Sequence, residues 1–174
     1  TFGTGIGYID LRQDQKGFSF RSFHLAHSYI QTNQEGDPNG IFIFEKLTPR
    51  QAAERWGEEN LGEKTREVLN RPDAQNAHAK FEFIWMVKQR FDRDPRLITM
   101  LHKPYQSIVI DVESEHEVVE EGFDKFPFFI PRWDTRSGEM YGRGPGVLAL
   151  PDVLTLNQMG KTMLRGLHLA AAGR

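Results

Sequence analysis

The 174-residue sequence has no cysteine, no long apolar run and almost no excess of charge. Without cysteine it can form no disulfide framework, no thiolate nucleophile and no cysteine-based zinc site. No segment approaches the ~18 apolar residues that cross a bilayer, and no basic-then-apolar leader is visible, so we expect no membrane partner. A formal net charge of -2 lacks the basic footprint of proteins that hold nucleic acid phosphates tightly.

The rest of the composition is typical of a folded globular domain. Hydrophobic residues make up 39% and charged residues 26% of the chain, close to the averages for such domains. A chain of this length is about the size of one domain. The sequence starts at Thr1 in a strand-like pattern and stops at Arg174 soon after a helical pattern, and we therefore expect an excised segment of a longer protein.

Alternating apolar residues predict a β-rich fold. Within the predicted strand Phe18–Phe23, apolar side chains at every second position, Phe18 and Phe20, predict one buried face. The run from Phe83 to Val87 predicts the core strand of the sheet. The predicted strands form one antiparallel or mixed sheet, and they cover residues 5–11, 18–23, 29–31, 41–44, 81–87, 105–112, 116–122 and 126–133.

Two short helices are predicted between the strands. Thr48, Pro49 and Gln51 are the N-cap, first residue and third residue of a helix that runs to Trp56 and ends at Gly57. A second helix over 62–69 is stopped by Arg71 and Pro72, and the packing face is Ala52, Ala53 and Trp56. A helical pattern from Val147 to about Ala172 completes an α+β fold with a long C-terminal helix.

A glycine-rich loop, Gly142–Gly146, precedes the long helix and invites comparison with phosphate-binding loops. It matches neither G-x-x-x-x-G-K-[ST] nor G-x-G-x-x-G, and Pro145 removes one amide donor. The pattern favours a rigid corner that leads into the helix. A small hydrolase or nucleotide-binding domain built on this loop is the alternative.

No catalytic, cofactor-binding or metal-binding residues are predicted. His24 and His27 are three residues apart, but no H-E-x-x-H signature accompanies them, and the G-x-S-x-G elbow is missing. The densest run of carboxylates is interpreted as a solvated acidic face rather than as acid–base machinery. That run contains Glu113, Glu115, Glu117, Glu120, Glu121 and Asp124.

Three segments near the C-terminus carry a family resemblance. They read FPFFIPRW over 126–133, GEMYGRGPG over 138–146 and ALPDVLTLN over 149–157. Together with Phe2-Gly3-Thr4-Gly5 and LTPRQAA over 47–53, they resemble the head-to-tail connector (portal) family of short-tailed, T7-like bacteriophages. The likeness spans most of the chain.

The resemblance implies a structural protein of the virion rather than an enzyme. Portals of this family form a ring, usually of twelve subunits, at one capsid vertex, through which double-stranded DNA is packaged and ejected. The implied partners are further copies of the chain, capsid proteins, tail or adaptor proteins, a separate terminase and, transiently and without sequence specificity, DNA. Assembly would take place in the cytoplasm of the host bacterium.

The same resemblance predicts which residues form which structural part of the protein. Residues 1–146 would be a β-rich, wing-like domain with a helical insert near 48–70, and residues 147–174 would begin a long helix that continues in the full-length protein. The predicted structural hinge consists of Arg132, Trp133, Arg143, Gly144, Pro145 and Gly146, with Arg143 tying the loop to the sheet. The predicted subunit contact is the stripe Leu150, Val153, Leu156, Met163 and Leu167. An adaptor that binds partners without forming rings is a further alternative.

Overall fold

The computed structural model describes residues 3–11, 16–71, 79–136 and 138–173. Two compact units divide the chain, one of residues 5–131 and one that combines the N-terminal residues up to Thr4 with the segment from Arg132 onward. The strands are β1 Gly7–Leu11, β2 Phe18–Ser22, β3 Ser28–Thr32, β4 Pro38–Leu47, β5 Phe81–Gln89, β6 Tyr105–Asp111, β7 His116–Phe123 and β8 Phe128–Phe129. The α-helices are α1 Pro49–Trp56, α2 Glu63–Asn70, α3 Pro145–Leu148 and α4 Leu150–Ala171.

The larger sheet is antiparallel, with the order β3-β4-β5-β6-β7. The predicted core strand is its middle strand, β5, as the run of aromatic and β-branched residues indicated. Phe83, Trp85 and Val87 alternate along one face of β5 and are buried. The opposite face of the larger sheet is only half buried. On β4, β5 and β6 it carries Phe42, Phe44, Ile84, Met86, Ile108 and Ile110.

The smaller sheet has the order β2-β1-β8 and is also antiparallel. The prediction of one sheet is therefore wrong, because β1 pairs with the distant β8 and not with β3. Tyr8 projects from β1 onto the larger sheet, with its ring centroid 5.0 Å from that of Trp85 and 5.0 Å from that of Phe128. The two sheets thus share a core of aromatic rings.

The prediction that Phe18 and Phe20 are buried is wrong as well. All five residues of β2 are exposed, and Phe20 keeps 70% of its surface accessible. The alternation is real, but it places these rings on the side of the smaller sheet that faces away from Tyr8. Phe129 of β8 is exposed too, whereas Phe128 and Phe83, which lies in the predicted core strand, are buried.

The two short helices confirm the local sequence signals. The Thr48 hydroxyl accepts a hydrogen bond from the Gln51 amide at 3.4 Å, and the Gln51 side chain accepts one from the Thr48 amide at 3.0 Å. Gly57 ends α1 with a φ of 87°, a value that favours glycine. Ala52 is fully buried, and Trp56 packs against Phe83 with ring centroids 5.1 Å apart. Pro72, the predicted stop of α2, lies outside the described residues.

A buried carboxylate joins α2 to the turn between β6 and β7. Asp111 has no accessible surface, and its side chain accepts hydrogen bonds from the Thr65 hydroxyl at 2.6 Å and the Ser114 hydroxyl at 3.1 Å. Its second oxygen accepts from the amides of Glu113 and Ser114 at 3.2 and 3.4 Å. A Cβ at Gly62 would lie 2.7 Å from the carboxylate, so only glycine allows α2 to approach this closely. We call these residues the Asp111 clip.

The C-terminal helical region is divided. The sequence predicts one helix from Val147, but α3 ends at Leu148 and α4 begins at Leu150. Pro145 is the first residue of α3, and Pro151 lies in the first turn of α4, positions at which proline loses no helical hydrogen bond. The long helix is therefore present over nearly the predicted residues, with a short separate turn before it.

Candidate functional site

The segment that leads into the long helix folds back on the start of the chain. Thr4 forms an antiparallel bridge with Arg132, and the Trp133 amide donates to the Gly3 carbonyl at 2.7 Å. The Thr4 hydroxyl, in turn, accepts a hydrogen bond from the Gly142 amide at 2.7 Å. These contacts define a corner made of residues 3–4 and 132–146, and this corner contains all six predicted hinge residues.

Two glycines let the backbones of the corner touch. A Cβ at Gly142 would lie 2.5 Å from the Gly3 carbonyl oxygen and 2.9 Å from the Trp133 nitrogen. A Cβ at Gly3 would overlap the backbone of Arg143 and Gly144. Backbone atoms cannot move aside as a flexible side chain does, so both positions require glycine. The sequence singled out Gly142 for its loop and Gly3 for the family resemblance, but it gave no sign that the two residues are in contact.

Arg143 closes the loop through its main chain and its side chain. Its amide donates to the Asp134 carbonyl at 2.7 Å, and its Nε donates to Glu139 Oε2 at 3.1 Å, with a second guanidinium contact to Glu139 Oε1. The side-chain bond to Arg143 lowers the pKa of Glu139, and the same bond raises the pKa of Arg143. The guanidinium thus binds a carboxylate four residues earlier in the same loop.

Replacing Arg143 with alanine is expected to loosen this loop at neutral pH. Because the pKa of Glu139 is lower in the folded state, the pair stabilises above the usual glutamate pKa of about 4.3 and is lost as pH falls through the folded value. The effect of the substitution should therefore shrink below pH 4 and in high salt. Hydrogen exchange of residues 132–144 measures it.

A double-mutant cycle with Glu139→Ala provides the control for that measurement. Glu139→Ala in the Arg143→Ala background should cause no further loosening. If Arg143→Ala leaves both exchange and assembly of the full-length protein unchanged, Arg143 has no structural role.

The other hinge residues contribute mainly backbone. The Trp133 amide donates its hydrogen bond to the Gly3 carbonyl, while the residue as a whole is 73% exposed. The Arg132 guanidinium lies 3.5 Å from the Met140 carbonyl, at the long end of hydrogen-bonding distance. Gly144 precedes α3, and its carbonyl accepts from the amides of Val147 and Leu148 at 3.0 and 3.4 Å. Both amides thus form the first hydrogen bonds of α3.

The long helix α4 has no buried residue. The predicted subunit-contact stripe of Leu150, Val153, Leu156, Met163 and Leu167 is exposed along its whole length. Leu154, Met159, Leu164 and Leu169 are exposed as well, so the helix is apolar on more sides than the stripe alone. A second open face of the helix carries Leu154, Thr155, Gln158, Met159, Thr162 and Met163.

The carboxylates and histidines that the sequence offered for chemistry are dispersed. Glu120 binds Arg90 at 2.6 Å and Asp124 binds Lys103 at 3.1 Å, while Glu117 and Glu121 are exposed on β7, an edge strand. His24 Nδ1 accepts a hydrogen bond from the Ala26 amide at 3.1 Å, which caps a short 3-10 helix. Within the described ranges, no three His, Asp or Glu side chains are grouped as metal ligands.

Among the residues the structure describes, no helix is both long enough and apolar enough to span a bilayer.

A well-packed β-rich unit and a long apolar helix without buried residues are typical of a protein that assembles with other chains. Residues 1–174 match the family of bacteriophage head to tail connecting proteins, and the chain belongs to that family. The resemblance read from the sequence is thereby confirmed. The chain is also similar to a portal protein of Salmonella phage epsilon15, with 25% identity over 159 residues.

The aligned region covers 90% of this chain but only 28% of the epsilon15 portal protein. The chain therefore spans less than a third of the length of this relative.

Proposed function

We propose that the chain is a structural part of a phage portal, a ring at one capsid vertex through which double-stranded DNA passes during packaging and ejection. In this proposal, residues 1–146 form a wing-like part, and residues 147–174 begin a helix of the channel wall. The supporting observation is α4, a helix of 22 residues with none buried. Isolated helices gain most of their stability from packing, and an apolar helix without a partner is poorly stable in water.

The distribution of apolar residues on α4 fits a subunit with two neighbours. At 100° per residue, Leu154 and Leu156 point to opposite sides of the helix. The stripe through Leu156 provides one contact surface, and the exposed face with Leu154 and Met159 provides another. A ring needs two different surfaces on each subunit, because one neighbour is met at each side.

The charge of the chain suits a conduit for DNA. A wall that neutralised many phosphates would hold the DNA through counterion release. A net charge of -2 supports weak, transient contact without sequence preference. In this role the chain performs no catalysis and needs no cofactor, and the energy for packaging comes from a separate terminase that docks on the ring.

The remaining partners follow from the position of a portal in the particle. The ring would contact capsid proteins at its vertex and tail or adaptor proteins below it. It would be a component of the virion, assembled in the bacterial cytoplasm from about twelve copies of the full-length protein.

Assembly of the full-length protein tests whether the stripe is a contact between subunits. Leu156→Asp and Met163→Asp place a charge in the proposed contact and are expected to reduce ring formation about tenfold or more in light scattering and electron microscopy. Arg165→Asp changes a polar residue on the same helix and serves as the control, with rings retained. Rings that survive both substitutions would refute the stripe, and a monomeric or dimeric wild-type protein would refute the portal proposal.

A further inference from the structure

The strand β2 is a free edge of the smaller sheet. It pairs with β1 in a regular register from Phe18 to Ser22, and within the described residues no strand lies on its other side. All five residues of β2 are exposed. In an edge strand, about half of the backbone N–H and C=O groups point away from the neighbouring strand. Those groups of β2 are therefore open to a further strand.

The other sheet edges have features that hinder strand addition. The pairing of β3 with β4 shifts register between Gln31 and Thr32, and that of β6 with β7 shifts between Val109 and Ile110. Such irregularities twist an edge away from an incoming strand. In addition, β7 carries three glutamates, and β8 has only two residues. Of the four edge strands in the described chain, β2 alone has a regular ladder of five residues, and its sequence FSFRS contains no proline.

The two faces of β2 differ chemically. Phe18 and Phe20 lie on the outer face and are 60% and 70% exposed. Arg21 lies on the inner face, where its guanidinium is 5.9 Å from the centre of the Tyr8 ring and 5.8 Å from that of Phe23. The side chain is thus folded back over rings of the core. Because the side chains of a strand alternate between its faces, a strand added to β2 would meet aromatic rings on one face and a cation on the other.

A shallow, open surface lies on the inner side of β2, between this strand and α1. Its lining residues are Arg21, Leu47, Gln51, Glu54 and Arg55. The guanidinium groups of Arg21 and Arg55 lie 3.8 and 2.5 Å from the same carboxylate, that of Glu45. Glu54 pairs instead with the exposed Arg50, at 3.5 Å. One carboxylate therefore serves both arginines of the surface.

The charge of Arg21 is incompletely compensated. Burial, and after it the neighbouring Arg55, lowers the pKa of Arg21. Glu45, Tyr8 and Asp10 act in the opposite direction but do not outweigh these two effects. The Arg21 side chain nevertheless keeps 44% of its surface accessible. A further carboxylate at this surface would oppose the repulsion between the two guanidinium groups and would form charge-assisted hydrogen bonds.

We propose that β2 and the surface beside α1 bind an extended segment of a partner protein, which adds to β2 as a further strand. The segment has apolar residues at alternate positions, beside Phe18 and Phe20, and an acidic residue between them that faces Arg21 and Arg55. In strand addition, main-chain hydrogen bonds supply affinity and alternate side chains supply specificity. The inference goes beyond the proposed function, since it holds whether or not the chain is part of a ring.

Binding of a synthetic peptide to the full-length protein tests this site. The probe is a fluorescently labelled peptide of sequence KVTVEVTVK, in which the valines occupy one face of an extended strand and the central glutamate the other. Fluorescence anisotropy is expected to show saturable binding below about 1 mM peptide. Replacing the central glutamate with lysine should weaken binding about tenfold or more. The absence of binding at this concentration would overturn the proposal.

Methylation of the peptide backbone distinguishes strand addition from simple charge attraction. Alternate residues of an added strand direct their N–H and C=O groups towards β2, and the residues between them direct theirs away. N-methylation of one alternate set should therefore abolish binding, and N-methylation of the other set should have a much smaller effect. Equal effects of the two sets would overturn the strand addition. Displacement of the peptide by inorganic phosphate at constant ionic strength would also overturn it, because the surface would then be a simple oxyanion site.

Two substitutions in the protein test the two faces separately. Arg21→Gln and Phe20→Thr are each expected to weaken peptide binding about fivefold to tenfold. Phe20→Thr changes an exposed side chain, so its effect is measurable even where Arg21→Gln alters the packing around Tyr8. The matched control is Arg50→Gln, which removes a guanidinium group of α1 that is 86% exposed and lies outside the lining of the surface.

Two further outcomes would contradict the proposal. One is equal binding by Arg21→Gln, Phe20→Thr and Arg50→Gln, which would place the peptide elsewhere on the protein. The other is binding to separated protomers but not to assembled rings, which would show that a neighbouring subunit already covers β2. Circular dichroism of each variant provides the check that the protomer is folded.

Discussion

Replacing Asp111 with alanine is expected to lower the free energy of unfolding of the 5–131 unit by about 3 kcal/mol. The substitution leaves the hydroxyl of Thr65, a fully buried residue, without its acceptor, and two backbone amides of the β6–β7 turn lose theirs. It also opens a cavity beside Gly62 at the start of α2. Urea denaturation followed by tryptophan fluorescence measures the loss.

Asp124→Ala is the matched control, because it removes an aspartate of the same region that is mostly exposed. Its salt bridge with Lys103 is on the surface, and such pairs contribute about 0–1 kcal/mol. Thr65→Val should fall between the two, at about 1–2 kcal/mol, since it removes only the shortest bond of the Asp111 clip. Equal effects of Asp111→Ala and Asp124→Ala would show that the clip does not stabilise the unit.

Gly142→Ala is expected to destabilise the corner by about 2 kcal/mol. The added methyl group meets the Gly3 carbonyl oxygen and the Trp133 nitrogen, so the two backbone segments must separate. The bond from the Trp133 amide to Gly3 should lengthen, and the exchange rate of that amide should rise about thirtyfold.

A glycine-to-alanine substitution within α4 should instead increase stability. Gly160 lies within α4 and has nothing within 4 Å of its Cβ position, so Gly160→Ala is expected to stabilise the helix by about 1 kcal/mol. Thermal unfolding monitored by circular dichroism at 222 nm compares the two variants. Slow amide exchange at Trp133 in Gly142→Ala would contradict the close approach.

Features set by neighbours in the sequence were predictable. The capping box at Thr48 and Gln51 depends on residues three apart, and the end of α1 depends on the conformational freedom of Gly57 alone. The continuous apolar run in β5 identified the central strand, which has one face buried almost completely and the other half buried. In each case the determining interaction lies within a few residues.

Features set by distant neighbours were not predictable from one sequence. The pairing of β1 with β8 and the bond from Asp111 to Thr65 join residues far apart in the chain. Phe18 and Phe20 show a further limit, because alternation reveals that a strand has two faces but not which of them is covered. At the hinge, the sequence identified the segment but not the contact between Gly3 and Gly142, which exists only in the folded chain.

The pairing at the boundary of the 5–131 unit has a practical consequence. The Gly5 amide donates to the Pro131 carbonyl at 3.0 Å, so the polypeptide enters and leaves this unit at adjacent points. A domain whose ends meet can be gained, lost or exchanged between genes while the flanking chain stays continuous. We therefore expect the 5–131 unit to tolerate insertion into a surface loop of an unrelated carrier protein.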